Sequence, residues 1–193
     1  MHTSETPTNC VVVGLAGRKG AGKDSAAKAL LLNDYTNVKF AGPLKEMLRT
    51  LLTYRGVPVE TIERMIEGDM KEVPHPALEG RTARYAMQTL GTEWGRDLIG
   101  EDIWTNAASD RIKVVGKAVM TDVRFPNEVT FVQDLGGVVY RIERPSVSEN
   151  EASAHPSELL IDALKVDGVI VNDGTESDLR IQVLDLVMSR KVH

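Results

Sequence analysis

Residues Gly17-Arg18-Lys19-Gly20-Ala21-Gly22-Lys23-Asp24-Ser25 constrain the fold of this chain more than any other segment. They follow Val11-Val12-Val13-Gly14-Leu15-Ala16, an apolar run rich in β-branched side chains that reads as a buried strand. They open Lys23–Leu32, rich in alanine and leucine, which reads as a helix. A G-x4-G-K segment between a strand and a helix is the setting of a phosphate-binding P-loop. The glycines let successive backbone N–H groups turn into one concavity, and the helix N-terminus adds about half a positive charge. Lys23 then reaches the outer phosphates of a nucleoside triphosphate as a point charge. Each residue from Gly17 to Ser25 is thus a candidate triphosphate-binding residue, and Lys23 a catalytic one. The residue after the lysine is Asp24, where a magnesium-binding Ser or Thr is usual. Its carboxylate is a hard oxygen ligand suited to Mg²⁺, or it only complements the helix dipole.

The rest of the chain alternates. Val38–Ala41, Ala118–Asp122, Val138–Ile142 and Gly168–Asn172 read as further strands, giving five with the first. Helical spacing recurs from Pro43 through Leu52, at Val59–Glu67, Thr82–Leu90, Glu93–Ile99, Ile103–Ile112, Asn127–Leu135 and Glu176–Met188. Gly68–Gly80, with Pro74 and Pro76, reads as irregular. Strands alternating with helices predict an α/β fold whose parallel sheet is covered on both faces. At 193 residues one domain is expected, with a core at 10–41, 114–142 and 166–191, a helical insertion at 43–112 and a polar loop at 144–158.

Composition narrows the function classes. Net charge is 23 − 28 = −5, the wrong sign for a chain built to neutralise DNA phosphates, so no nucleic-acid polymer is expected as partner. No apolar run reaches the ~20 residues of a membrane span, and no membrane partner is expected. Residues 1–7 contain an acid and no basic stretch, unlike a secretory signal. The single cysteine, Cys10, fits a reducing, cytoplasmic setting. A homodimer is compatible with all of this.

A second constellation is Val119-Met120-Thr121-Asp122-Val123-Arg124-Phe125-Pro126-Asn127-Glu128. A carboxylate at the end of a parallel strand is where P-loop enzymes organise Mg²⁺, so Asp122 joins Asp24 as a metal candidate and is a catalytic one. Asp122 could instead cap the next turn. Arg124 would point the same way as Asp122 if the strand continued, and is a third catalytic candidate. Arg81, Arg84 and Arg96, with Lys45 and Gln88, are candidate substrate-binding residues in the insertion, and Arg141, Arg144 and His155 flank or lie in the polar loop; arginine suits phosphate recognition, or each is a solvated surface group. Trp94 and Trp104 either stack a base or pack with Leu98, Ile99 and Ile103 as core, and Trp104 is carried as an acceptor-side candidate.

In order along the chain, Gly17–Ser25, Gln88-Thr89-Leu90-Gly91-Thr92-Glu93-Trp94-Gly95-Arg96, Thr121–Glu128, His155-Pro156-Ser157-Glu158 and Asn172-Asp173-Gly174-Thr175 resemble the deoxynucleoside monophosphate kinases of bacteriophages. The resemblance runs from about Val11 to Leu186. It implies a nucleoside-monophosphate-kinase fold: a P-loop three-layer architecture with a five-stranded parallel sheet, a substrate-binding helical region and a lid at 144–158. It also implies transfer of a phosphoryl group from ATP, with Mg²⁺, to a small-molecule deoxynucleoside monophosphate in a (host) cytoplasm. On that resemblance Gly17–Ser25 hold the donor phosphates, Asp122 and Arg124 face the reaction centre, and Arg96 belongs to the acceptor side. A ribonucleotide or dephospho-coenzyme A kinase, and an ATPase acting on a macromolecule, are the rival readings.

Overall fold

The computed structural model describes residues 10–145 and 161–189. Strand β1 (Val11–Ala16) is buried along all but its first residue, as a strand covered on both faces must be. It pairs in parallel with β5 (Lys117–Met120) on one side and β6 (Val138–Glu143) on the other. Strands β2 (Thr36–Asn37) and β7 (Gly168–Val171) complete the sheet in the order β2-β5-β1-β6-β7, every pair parallel. The expected five-stranded parallel sheet is present. Its second strand lies at Thr36–Asn37 rather than Val38–Ala41; Val38 still donates to the Val119 carbonyl at 2.9 Å, but the chain then leaves the sheet edge.

Side chains alternate across a strand, so β1 feeds two different faces. Val13 and Leu15 join Val119, Tyr140, Ile142 and Ile170 in one cluster with Ala26, Ala27 and Leu30 of α1 (Lys23–Leu31) and Leu179, Val183 and Val187 of α7 (Glu176–Ser189). On the opposite face Gly14 leaves room for α6 (Pro126–Asp134): a Cβ there would lie 3.0 Å from Val139 and 3.5 Å from Val132. Helices on both faces make three layers. Full burial of each such Val, Leu or Ile contributes about 1.5–3 kcal/mol.

The chain divides into two compact units, residues 1–39 with 109–193, and residues 40–108. The sheet belongs to the first. The second contains α2 (Gly42–Tyr54), α3 (Val59–Ile66), α4 (Ala83–Thr89) and the start of α5 (Ile103–Val115). Its core is Leu48 and Leu52 of α2, Ile62, Met65 and Ile66 of α3, and Ala83 of α4. Arg49 ties α2 to α3 by donating to both Glu63 carboxylate oxygens at 2.6 and 2.9 Å, which holds the Glu63 carboxyl below the usual carboxylate range. The stretch read as irregular, Gly68–Gly80, instead contributes β3 (Pro74–His75), which pairs antiparallel with β4 (Arg81–Thr82). Two-residue strands next to proline are too short for periodicity to reveal.

Between α4 and α5, Leu90–Ile99 winds as a π-helix, closed by the Gly100 N–H donating to the Gly95 carbonyl at 2.9 Å. This i→i+5 winding changes the rotation per residue, so the phase of a face read at α-helical spacing does not carry through the segment. The expectation that Trp94, Leu98 and Ile99 lie in a core is corrected here: they are 37%, 76% and 58% exposed. Among the described residues no helix is long and apolar enough to cross a membrane.

Candidate active site

Because the sheet is parallel, residues that follow β1, β5, β6 and β7 emerge at one edge, where ligands of open α/β sheets sit. The loop after β1 meets the local demands of an anion cradle. Gly17 has φ +148° and a Cβ there would lie 2.6 Å from the Ile142 carbonyl oxygen; Gly22, the N-cap of α1, has φ +107°. Neither position tolerates a side chain without strain. The Lys23 ammonium folds over the loop, donating to the Gly17 carbonyl at 2.6 Å and the Arg18 carbonyl at 2.9 Å. Lys19 and Gly20 are exposed and Ala21 is buried. Asp24 is exposed in the first turn of α1 and Ser25 is half-buried beside it, while the Glu176 carboxyl of α7 is held below its usual range chiefly by Arg180.

Arg18 and Arg141 converge on Asp162. Arg18 pairs with its carboxylate at 2.5 Å, and Arg141 donates to its backbone carbonyl at 3.1 Å and to the Glu143 carboxylate at 2.8 Å. Arg144 follows the end of β6 and is exposed. His155 and most of 144–158 lie outside the described residues.

After β5 the buried Thr121 leads to a half-buried Asp122. The strand ends at Met120, so the premise that Arg124 points with Asp122 along a continuing strand fails; Arg124 is exposed. Its backbone is fixed by the last residue of the same motif, to which the sequence alone assigns no role. Glu128, 5% exposed, accepts from the Arg124 N–H at 2.7 Å and the Phe125 N–H at 3.2 Å. The signal was available: Glu128 is the third residue of α6, the capping-box position.

In the helical unit the acceptor candidates differ in their partners. Lys45 pairs with Glu67 at 2.7 Å, Arg84 pairs with Glu72, and the Arg81 guanidinium lies 5.0 Å from the Tyr85 ring centroid. Gln88 and Arg96 are exposed, and Arg96 has no ion-pair partner among the described residues. Trp104 is corrected: it is 6% exposed, its indole N–H donates to the Gly91 carbonyl at 2.8 Å, and its ring covers Gly95 so closely that a Cβ there would lie 2.5 Å from Cζ2. It packs against the π-helix and offers no face to a base. Trp104→Phe removes that hydrogen bond together with the ring atoms that cover Gly95. A loss of about 2–3 kcal/mol is expected, from the bond and from the space left behind, read in calorimetry as a melting temperature roughly 4–10 °C lower. An unchanged melt would show that the indole N–H contributes nothing.

A glycine cradle with its lysine after β1 and a carboxylate just past the adjacent β5 make this a P-loop phosphotransferase. Comparison with known proteins narrows the class. The sequence profile of the deoxynucleotide monophosphate kinases matches residues 60–183. The chain belongs to that family. It is 29% identical over 192 residues to a protein of Acanthamoeba polyphaga mimivirus assigned as a deoxynucleotide monophosphate kinase, covering 92% of this chain and 96% of the relative. It is 34% identical over 112 residues to the deoxynucleoside-5′-monophosphate kinase of Escherichia phage T5, a match spanning 52% of this chain and 43% of the phage protein. Among solved structures, TT1252 from Thermus thermophilus shares the fold, with a TM-score of 0.50, 15% identity and coverage of 96% of this chain and all of that one (100%).

Proposed function

We propose that this protein transfers the γ-phosphoryl group of ATP to deoxynucleoside 5′-monophosphates, forming the diphosphates. The observation that carries the reading is the Gly17–Lys23 cradle, with Lys23 held over it by two loop carbonyls, in a chain of this family. Phosphoryl transfer asks the protein for alignment and charge neutralisation more than for covalent chemistry. The loop N–H groups and Lys23 take the donor phosphates. Lys23 exchanges its carbonyl partners for β- and γ-oxygens, and its charge follows the transferring group. Arg18 of the loop and Arg141 of β6, each paired with a carboxylate in the structure, would offer their guanidinium groups to the phosphates by exchanging those partners. Lys45, Arg81, Arg84, Arg96 and Gln88 are the groups assigned to the acceptor, and Arg124 to the reaction centre.

The residues suit Mg²⁺. Asp122 and Asp24 are hard oxygen donors, and Mg²⁺ is typically held by one or two carboxylates with waters and substrate phosphates. Bound there, the ion would neutralise charge on the β- and γ-phosphates. The substrates are small molecules, and the reaction needs neither a polymer nor a membrane. A cytoplasmic, monomeric or homodimeric enzyme satisfies it.

The test is a coupled assay with ATP, Mg²⁺ and a panel of acceptors. Several deoxynucleoside monophosphates are expected to be phosphorylated, with kcat/KM for the ribose counterparts lower by about 10²-fold at most, since a pocket that merely lacks a partner for one hydroxyl rejects it weakly. Activity on dephospho-coenzyme A alone, or DNA-stimulated hydrolysis without acceptor phosphorylation, would overturn the reading.

A further inference from the structure

The loop after β7 reaches into the phosphate cradle through one side chain. Asn172 follows β7 directly and is 8% exposed, one of few buried polar residues described. Its backbone N–H donates to the Glu143 carbonyl at 2.7 Å, which anchors it to the end of β6. Its side-chain Nδ2 donates to the Ala21 carbonyl at 2.9 Å. The same Nδ2 lies 2.6 Å from where a Cβ on Gly22 would stand, so the amide is packed against the turn from loop to helix.

We propose that Asn172 is a positioning residue for the donor phosphates, acting through the Ala21–Gly22 peptide. A trans peptide is planar and carries its C=O and N–H on opposite edges. Tying the Ala21 carbonyl to Asn172 therefore turns the Gly22 N–H the other way, away from the β7 side. That N–H stands at the N-terminus of α1, among the donors an anion would use. Gly22, at φ +107°, has the conformational freedom to rotate this peptide, so the loop does not fix the orientation by itself. Asn172 supplies the missing restraint from an element distant in sequence. An unfixed peptide dipole would have to be aligned at the moment of binding, and that ordering opposes affinity. The inference rests on the ATP-dependent reading above but needs no particular acceptor.

The experiment compares the full chain with Asn172→Ala and Asn172→Asp. Mg·ATP affinity is measured by calorimetric titration, KM for ATP and for a deoxynucleoside monophosphate by coupled assay, and each fold by thermal melt. Asn172→Ala is expected to weaken ATP binding about tenfold, the equivalent of one buried hydrogen bond. Asn172→Asp should weaken it further, because a carboxylate sets lone pairs against the Ala21 carbonyl. The acceptor KM should stay within twofold. If Asn172→Asp does not fold, Asn172→Ala carries the test alone. Lower melting temperatures with unchanged ATP affinity would make Asn172 a packing residue and overturn the inference. A parent chain that binds no ATP would instead overturn the functional reading on which it rests.

Discussion

Lys23→Met should lower kcat by about 10²–10³-fold or more, the scale of losing one preorganised charge at a transition state. Methionine keeps the length and apolar stem of lysine and removes only the ammonium. The fold has little reason to fail. Lys23 is half-buried and lies outside both apolar clusters. It does staple the loop through the Gly17 and Arg18 carbonyls. Losing those bonds should cost about 1 kcal/mol, or roughly 2–4 °C in melting temperature for a chain of this size. A variant within tenfold of parent activity would remove Lys23 from the site. A melt lowered far beyond that range would mean that the lysine serves the loop's structure first.

Gly17→Ala should disable the same loop through its backbone. The residue is at φ +148°, and the new Cβ would stand 2.6 Å from the Ile142 carbonyl oxygen, a backbone atom of β6 that cannot swing aside. The conformational penalty alone is about 1–3 kcal/mol, and moving β1 from β6 adds to it. ATP affinity and melting temperature should both fall. Gly56→Ala is the matched control: its φ is +74° but a Cβ there meets nothing within 4 Å. If the two substitutions cost the same stability, the close approach of β6 to the loop is unimportant and only the backbone angle matters.

The five-stranded parallel sheet follows from signals that are local and strong, while its strand order is a finding of the structure. Apolar β-branched runs, a glycine turn and an alanine-rich helix in succession leave few alternatives to a strand–loop–helix unit, and Gly17, Gly20 and Gly22 all have positive φ. Legibility faded where the deciding interaction was non-local. Helical spacing placed Trp94, Leu98 and Ile99 inside, but it assumes i→i+4 winding, and the segment from Leu90 to Ile99 does not wind that way. Trp104 shows the same limit from the other side. Its burial depends on the bare backbone at Gly91 and Gly95, residues 13 and 9 positions earlier, and helical spacing alone does not separate a core aromatic from a base platform. Asn172 stood in a recognisable motif, but its tie to Ala21 crosses 151 residues, and no spacing rule reaches that far.

The ion pairs also bear on which anions can enter. Arg18, Lys45 and Arg84 each have a carboxylate of the same chain in contact, from Asp162, Glu67 and Glu72. Those carboxylates are tethered competitors, present at an effective concentration that dissolved monoanions cannot match. Chloride or acetate would exchange for them at a loss. A phosphate dianion, offering more charge and three oxygens to the same guanidinium or ammonium, can win the exchange. If these cations serve the proposed reaction, each pair by itself favours a phosphate over a monoanion, and an unphosphorylated nucleoside, whatever its base, would gain nothing from them.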